Sequence, residues 1–475
     1  MGKKNSNRHR PVDTKRRQLL GHLGLSSLLA AGGLSLPWPM QMAYGSSRPN
    51  DYKAAICLFL NGGNDGNDTL IPVDGAFGDY ARGHGGLTLP RDELHRLSLR
   101  DSDHTLALHP ALKNLAEITS RGEVAWIANA GPLVEPVTAA DVRNGRARVP
   151  SFLGSHPDQQ RYVSGGVPGT FAARSGWGGR ALEQVPAELV DDLLSNLALN
   201  EDNYLMRGNF WMPTQSSNIK WLAGMTLRDV LDGQPSNQYQ AYLAASKPQP
   251  GLDQLGRAYQ RTIGSILDEA LELRRVLDRV PDSLAPEPTH DWLLDNGLMH
   301  QLRQGVKTLW AGREAGVPRQ MIFLDWGGFD THASQRGKGL EHHDGLLSAL
   351  DTGLADLDAQ LKAGGLHDQV VTMVISEFGR PLRPNSGGGT DHGWGNHFWV
   401  MGGPVKGNRL IGQMPTLVPG GPDDMGDDAL GRWVPTINSD QIAASVMEWF
   451  GLPRSEFGKV FANLENFSSP TLDLF

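Results

Sequence analysis

Four stretches of the chain are apolar at most positions, and each ends in a polar turn that is rich in glycine. Because both faces of such a segment are apolar, the pattern predicts buried strands of a parallel sheet. FWVMGG at residues 398–403 predicts a fifth strand. The four main strands are predicted at 54–60 (AAICLFL), 123–130 (EVAWIANA), 319–326 (RQMIFLDW) and 369–376 (QVVTMVIS).

Segments with apolar residues at helical spacing lie between these strands. In residues 343–365, leucines recur at intervals of three and four until a glycine pair ends the pattern. Residues 200–295 are rich in helix formers and lack a strong strand, so we predict an inserted helical segment there. Further helices are predicted at 109–122, 296–316 and 439–452. The alternation of helix and strand predicts an α/β fold, with a layered, mostly parallel sheet flanked by helices.

The N-terminus, residues 1–46, resembles a twin-arginine export signal. A basic region ends in Arg16 and Arg17, and an uncharged, weakly apolar stretch follows from Gln18 to Ser47. Glycines and prolines interrupt this stretch, so we expect no stable membrane span. The alternatives are an N-terminal anchor or a chance arginine pair. We therefore expect a periplasmic or secreted protein whose residues 47–475 form one α/β domain.

Charge and cysteine content argue against two classes of function, nucleic-acid binding and redox chemistry. Residues 1–45 carry seven Lys or Arg and one Asp, so without them the formal net charge changes from −8 to −14. An acidic body argues against nucleic-acid binding, which requires a basic surface. The single cysteine, Cys57, cannot form an internal disulfide. With no dinucleotide-binding fingerprint or haem motif, the sequence offers little support for a redox function.

Acidic and histidine side chains collect where the predicted strands end. In an open α/β sheet, ligands bind beyond the carboxyl ends of the strands. The loops NGGNDGND, GGFDTH, SEFGR and GGGTDHGWGNH should therefore meet at one edge. They contain Asp65, Asp68, Asp330, His332, Glu377, Asp391, His392 and His397. Carboxylates together with imidazoles suit zinc, manganese, iron or magnesium, whereas sets of oxygen ligands alone suit calcium.

Each of these residues also has an ordinary structural explanation. The GGNDGND segment could be a tight turn, and Asp330 could cap the next segment. Glu377 could pair with Arg380 or Arg383, and Asp391 could orient His392 without a metal. Their convergence at one sheet edge favours a site for a divalent metal or an anion.

Several motifs together resemble the bacterial family called domain of unknown function 1501. They are LFLNGGNDG, the strand followed by GGFDTH, SEFGR, GTDHG, GGPVKG, SHPDQQ and GWGGR, and they span most of residues 50–455. That family is similar in fold to the alkaline phosphatase and sulfatase superfamily. The resemblance implies an alkaline phosphatase-like scaffold, one or two divalent metals, and a nucleophilic Ser, Thr or modified Cys.

The resemblance also implies roles for single residues. Asp65 matches the Asp that follows the first strand, and Asp330 matches the Asp of a later strand. The His that follows it is His332 or His343, and the last His is His392 or His397. We expect Asp330, His332 and His392 to form the stronger metal site.

At the position of the superfamily's Asp-His pair, this chain has Glu377 and Phe378, so one ligand is lost there. Asp391 with His392 is the alternative match for the pair. We expect Asp65 and Glu377 to form a weaker site, or to support the first one.

The nucleophile is sought in VPSFLGSHPDQQ, where Ser155 and Ser151 are the candidates, and His156, which follows Ser155, is a further candidate for a catalytic role. A hydroxyl at a helix N-terminus would suit an anionic substrate, although a plain N-cap serine explains it equally well. Cys57 lies within a strand and is rejected.

Arg380, with Arg180 and Arg383 as alternatives, is the candidate clamp for the anion. The predicted function is an exported metal-dependent hydrolase of phosphate or sulfate esters, acting on a small molecule or a glycan. The expected cofactor is zinc, manganese, magnesium or calcium. The alternative is a catalytically degenerate binding protein on the same scaffold.

Overall fold

A computed structural model describes residues 51–165, 175–199, 204–211, 213–215, 275–286 and 297–475, with scattered positions between 244 and 260. The predicted export signal and most of the predicted helical insertion at 200–295 lie outside these residues. Within the described part of the chain, no helix combines the length and the apolar character that crossing a membrane requires.

Strands of the described residues form one large sheet and one small sheet. The large sheet has the spatial order β11-β5-β10-β9-β1-β8-β6-β7, and β12 pairs with β5. The small sheet has the order β2-β4-β3. The strands are β1 (Lys53–Leu60), β2 (Leu70–Pro72), β3 (His95–Arg96), β4 (Leu106–Leu108), β5 (Val124–Gly131), β6 (Asn196–Ala198), β7 (Thr214–Gln215), β8 (Arg319–Trp326), β9 (Val370–Ile375), β10 (Asn396–Met401), β11 (Arg409–Ile411) and β12 (Ile437–Asn438).

The predicted α/β class and mostly parallel sheet are confirmed, and β1, β5, β8, β9 and β10 occupy the five predicted strand positions. One orientation differs from the parallel type: β10 is antiparallel to both of its neighbours, β9 and β5. The reason is the connection. The chain leaves β9 and enters the adjacent β10 through a loop without a crossover helix, so β10 must run in the reverse direction.

Helices cover both faces of the large sheet. The side chains of β1 alternate between two apolar clusters. Ala54, Ile56 and Leu58 pack in one cluster with the helices at 113–120, 297–314 and 343–363. Ala55, Cys57 and Phe59 pack in the other cluster with the helices at 177–182, 439–450 and 457–460. The helices whose bounds are fully described are α1 (Gly66–Thr69), α2 (Phe77–His84), α3 (Lys113–Ser120), α4 (Ala139–Arg143), α5 (His156–Val163), α6 (Trp177–Leu182), α7 (Gly297–Glu314), α8 (His343–Ala363), α9 (Ser439–Phe450) and α10 (Phe457–Val460).

One edge of the large sheet collects the polar loops. Strands β1, β8 and β9 are parallel and end at this edge, and the antiparallel β10 begins there. The loops that follow β1 and β8 therefore meet the long loop between β9 and β10. Helix α5 adds its N-terminus to this edge, because the His156 ring contacts Glu377 directly after β9.

Candidate metal centre

Three imidazole rings surround the carboxylate of Asp330 at the sheet edge. His156 Nε2 lies 3.4 Å from Asp330 Oδ2. His332 Nε2 and His392 Nε2 each lie 3.1 Å from Asp330 Oδ1, and these two nitrogens are 2.8 Å apart. Each of the three rings thus places Nε2 within 3.4 Å of an Asp330 carboxylate oxygen, and the ligand atoms of His156, Asp330 and His392 all lie within 4.8 Å of one another. We call these four side chains the three-histidine centre.

Each ring of the three-histidine centre is held through its other nitrogen, Nδ1. The three pairs are His156 Nδ1 with Glu377 Oε1 (2.9 Å), His332 Nδ1 with Asp391 Oδ1 (3.2 Å) and His392 Nδ1 with the Gly154 carbonyl (2.6 Å). Because these oxygens are acceptors, each Nδ1 is placed to donate a proton to its oxygen, and in a neutral ring of that tautomer the lone pair lies on Nε2. His156 Nε2 is buried without a hydrogen-bond partner. Histidines that ligate metals are typically held in this way.

Glu377 orients His156 instead of facing the centre with a free carboxylate. Its side chain is fully buried, and Oε1 also accepts the Gly62 backbone N–H at 2.8 Å. Its other oxygen, Oε2, lies 3.1 Å from the Ser376 hydroxyl. The hydrogen bond to Glu377 raises the pKa of His156, and the burial of the ring opposes this effect. Both carboxylate oxygens are therefore occupied by protein partners.

Arg380 supplies a buried positive charge beneath Asp330. Its guanidinium donates to Asp330 Oδ1 at 2.5 Å. Burial of Asp330 favours the neutral acid, but the hydrogen bond and the charge of Arg380 outweigh it and lower the pKa of Asp330 to about 2. The remaining guanidinium hydrogen bonds go to the carbonyls of Gly62, Gly63, Thr390 and Asp391. Because each of these hydrogen bonds is made to a protein oxygen, Arg380 is better placed to fix Asp330 than to clamp a substrate.

The glycine pair of the NGGND motif permits this close packing. Gly62 and Gly63 have φ values of +116° and +83°, which side chains rarely adopt. A Cβ at Gly62 would lie 2.4 Å from the Asp330 nitrogen, and one at Gly63 would lie 2.3 Å from the Phe378 ring. The Phe378 ring packs in turn against His156 and His392, with centroid separations of 4.9 and 4.8 Å. Phe378 therefore forms an apolar wall of the centre, and its side chain cannot bind a metal.

Asp65 lies beyond the same strand end, but its carboxylate belongs to a different, fully buried network. Asp65 Oδ1 caps α1 by accepting the Asn67 N–H, and Oδ2 accepts from the Gln335 side chain at 2.8 Å. Asp68 accepts from Gln335, pairs with His84 at 2.9 Å and forms two contacts with Arg336. The ligand atoms of Asp65, Asp68 and His84 lie within 4.8 Å of one another.

Internal cations neutralise this buried network. Burial opposes the ionisation of Asp68, but His84 and Arg336 outweigh it and lower the pKa of Asp68 well below its ordinary value. Burial, followed by the neighbouring Asp68, raises the pKa of Asp65. Because protein groups fill the coordination sphere, we assign a structural role to this cluster, and the structure does not bring Asp65 into contact with the three-histidine centre.

The alternative residues from the sequence have other partners. His343 is buried beside Asn64, and burial lowers its pKa to about 3. His397 is buried with its Nδ1 accepting the Asn129 N–H, and burial lowers its pKa to about 4. Arg180 donates to the carbonyls of Val460 and Gly165, and Arg383 is exposed.

Ser155 is the N-cap residue of α5, directly before His156. Its Oγ donates to Asp158 Oδ2 at 2.5 Å, so the hydroxyl is engaged within its own helix turn. Ser151 is exposed, and its backbone N–H donates to the Tyr162 hydroxyl. Neither serine has a hydrogen bond to the three-histidine centre among those of the described residues.

Sequence reasoning missed three supporting groups. The Gly154 carbonyl holds His392, the Asn385 amide donates to Asp391 at 2.9 Å, and Gln335 joins the two buried aspartates. It also assigned His156 to catalysis without a ligand role. The SHPDQQ motif signalled His156, whereas a carbonyl or amide that acts as a support leaves no distinctive pattern in a single sequence.

Comparisons with known proteins add a family and a few distant structures. The sequence profile of the family described as "Protein of unknown function (DUF1501)" matches residues 52–421. No curated protein matches the chain. Among solved structures, PsFucS1 sulfatase from Pseudoalteromonas sp. is 13% identical over 94% of this chain and 76% of its own, with a TM-score of 0.32. The phosphonate monoester hydrolase SpPMH from Silicibacter pomeroyi is 10% identical over 84% and 73%, with a TM-score of 0.34.

Proposed function

The chain belongs to the family described as Protein of unknown function (DUF1501), and from its three-histidine centre we propose an exported, metal-dependent hydrolase of phosphate or sulfate esters. One observation carries the proposal. Three imidazoles are each held at Nδ1 by an acceptor, and all three direct Nε2 toward the carboxylate of Asp330. Hydrogen bonding alone explains this arrangement poorly, because His156 Nε2 has no hydrogen-bond partner.

The ligand atoms of the centre narrow the choice of metal. Zinc binds both imidazole nitrogen and carboxylate oxygen, and imidazole also suits iron and other transition metals. Magnesium and calcium prefer sites built from oxygen ligands. We therefore favour zinc or another transition metal at Asp330, His156, His332 and His392, in place of the Asp330, His332 and His392 set expected from the sequence.

The residues around the centre suit the hydrolysis of an anionic ester. A divalent ion held there would polarise an ester oxygen. Arg380 keeps Asp330 ionised, Glu377 and Asp391 fix two imidazoles, and Phe378 shields the rings on one side. Because Arg380 and Glu377 are buried, water screens their charges less than it screens charges on the protein surface.

Ser155 remains our candidate nucleophile because it directly precedes the ligand His156 at the start of α5. Its hydroxyl would have to exchange the hydrogen bond to Asp158 for the substrate. If Ser155 attacks the ester, Ser155→Ala should retain the metal and lose turnover. If water attacks instead, the same variant should keep most of its activity.

Metal analysis tests the proposal most directly. Protein purified without chelator should contain about one transition-metal ion per chain, measured by mass spectrometry, and should hydrolyse 4-nitrophenyl phosphate or sulfate. His392→Ala should lose both properties. His104→Ala is the matched control, because that ring pairs with Asp74 on another loop. A folded wild-type protein that binds no divalent ion at micromolar concentration would refute the proposal.

A degenerate binding protein is the second candidate. Two observations favour it. The ring of Phe378, which cannot bind a metal, packs against His156 and His392, and the Ser155 hydroxyl donates to Asp158. This candidate predicts bound metal and anion binding without turnover of either ester. The metal and activity measurements together therefore distinguish the two functions.

Export, location and domain boundaries form part of the same proposal. We propose that residues 1–46 direct transport by the twin-arginine route, that residues 47–475 form the α/β domain with a helical insertion near 200–295, and that the protein acts in the periplasm or outside the cell. The support is the Arg16-Arg17 pair before a weakly apolar stretch. The substrate would be a small-molecule or glycan ester.

A further inference from the structure

Phe152 exposes an aromatic ring on the loop that contacts His392 of the three-histidine centre. The residue is 62% exposed, and among the described residues only Phe210 and Val418 are also large, apolar and exposed. Phe152 lies two positions before Gly154, whose carbonyl holds His392 through Nδ1. The ring therefore extends from the same short loop that orients a proposed metal ligand.

The surrounding loop holds this ring outward. Val149 and Leu153 pack against an apolar cluster that contains Trp394. The buried Gln159 amide donates to the carbonyls of Ser151 and Phe152, each at 3.2 Å. With apolar contacts and hydrogen bonds fixing the backbone on both sides of Phe152, the loop presents the ring on an ordered support.

Folding does not account for a phenylalanine at this position. Its φ is +55°, a left-handed conformation that is uncommon for bulky residues and favours glycine or asparagine. The exposed ring also gains little from burial. An unfavourable backbone conformation next to a candidate site is grounds for a functional hypothesis.

We propose that Phe152 forms a subsite for a ring in the organic part of the ester, next to the anion bound at the three-histidine centre. The assignment rests on the proposed function, since that centre must hold the anionic group. Aromatic rings stack on other rings through their faces and gain from the apolar area that they cover. The substrate class is thereby narrowed to esters of ring-bearing alcohols.

Two phosphonates test the subsite without depending on turnover. Phenylphosphonate and methylphosphonate share the anionic group and differ in the ring, and an ester hydrolase does not cleave their C–P bond. Titration calorimetry on metal-loaded wild type should show phenylphosphonate binding about tenfold more tightly than methylphosphonate. In Phe152→Ala this ratio should fall to about twofold or less, with metal content and methylphosphonate affinity unchanged.

Two further variants test whether the preference for phenylphosphonate requires an aromatic ring at position 152. Phe152→Tyr should restore the preference because it keeps a ring, and Phe210→Ala should leave the preference as in wild type because that exposed ring lies on a different segment. Equal binding of the two phosphonates by wild type, binding of neither, or an undiminished preference in Phe152→Ala would each overturn the subsite. A preference that Phe152→Ala abolishes, in a protein that hydrolyses no ester, would support the subsite and reject the hydrolase.

Discussion

Replacing Glu377 with glutamine separates the orienting role of this residue from a ligand role. The substitution keeps the shape and one acceptor oxygen, so the Gly62 N–H and the His156 Nδ1–H can both remain hydrogen-bonded. It removes the negative charge that strengthens both bonds. If Glu377 acts on the metal through His156, Glu377→Gln should weaken metal binding without abolishing it.

The expected loss of metal affinity in Glu377→Gln follows from the contact between Glu377 and His156. Changes to groups that support metal-ligating histidines typically reduce metal affinity about 10–100-fold, which corresponds to about 1.4–2.7 kcal/mol. Because glutamine preserves the acceptor at 2.9 Å from His156 Nδ1, we expect the lower end, about tenfold. His156→Gln removes a ligand and should reduce the affinity further. In that background, Glu377→Gln should change the affinity about twofold or less.

Competition with a chromophoric chelator measures these affinities on folded protein. Asp351→Asn is the matched control, because Asp351 is another buried carboxylate that accepts backbone N–H groups, from Leu115 at 2.8 Å and Asn114 at 3.0 Å. It should reduce stability and leave metal affinity unchanged. If Glu377→Gln loses metal binding as completely as His392→Ala does, Glu377 ligates the metal directly. If Glu377→Gln reduces metal affinity equally in wild type and in His156→Gln, Glu377 does not act through His156.

Three further predictions concern stability and export. Arg336→Met leaves the fully buried Asp68 without its guanidinium partner and should reduce the free energy of unfolding by about 3–5 kcal/mol; a loss under about 1 kcal/mol in denaturant titrations would contradict the ion-pair assignment. Burial raises the pKa of Asp440 to about 7 from an ordinary value of 3.8, so between these pH values the folded state retains a proton that the unfolded state releases, and stability falls as pH rises. The Asp440→Asn variant should lack this pH dependence. Its free energy of unfolding relative to that of wild type should therefore rise between pH 5 and 7 and level off above pH 8. A difference that does not change with pH would contradict the raised pKa of Asp440. Lysine at both Arg16 and Arg17 should leave the precursor in the cytoplasm in cell fractionation, and undiminished export would remove the twin-arginine hypothesis.

The local pattern of the sequence was sufficient for the main elements of the described fold. Long apolar runs predicted β1, β5, β8, β9 and β10 because a strand covered on both faces can only carry apolar side chains. Leucines at helical spacing predicted α8 in the same way. The order of strands and helices then placed the loops around Asp330, Glu377 and His392 at one edge, because parallel strands share the edge at which they end.

The chemical role of each side chain depended on the tertiary structure. Glu377 and Asp65 are both acidic residues in loops that follow strands, yet Glu377 meets a ring 221 positions earlier in the chain, and Asp65 meets Gln335, 270 positions later. His156 becomes a ligand candidate because α5 brings its Nε2 to Asp330. Sequence spacing determined which residue types reach the sheet edge. Whether a carboxylate there ligates a metal, orients a histidine or neutralises a buried cation is decided by the partner within about 3 Å, and such distant partners come together only when the sheet and its covering helices have packed.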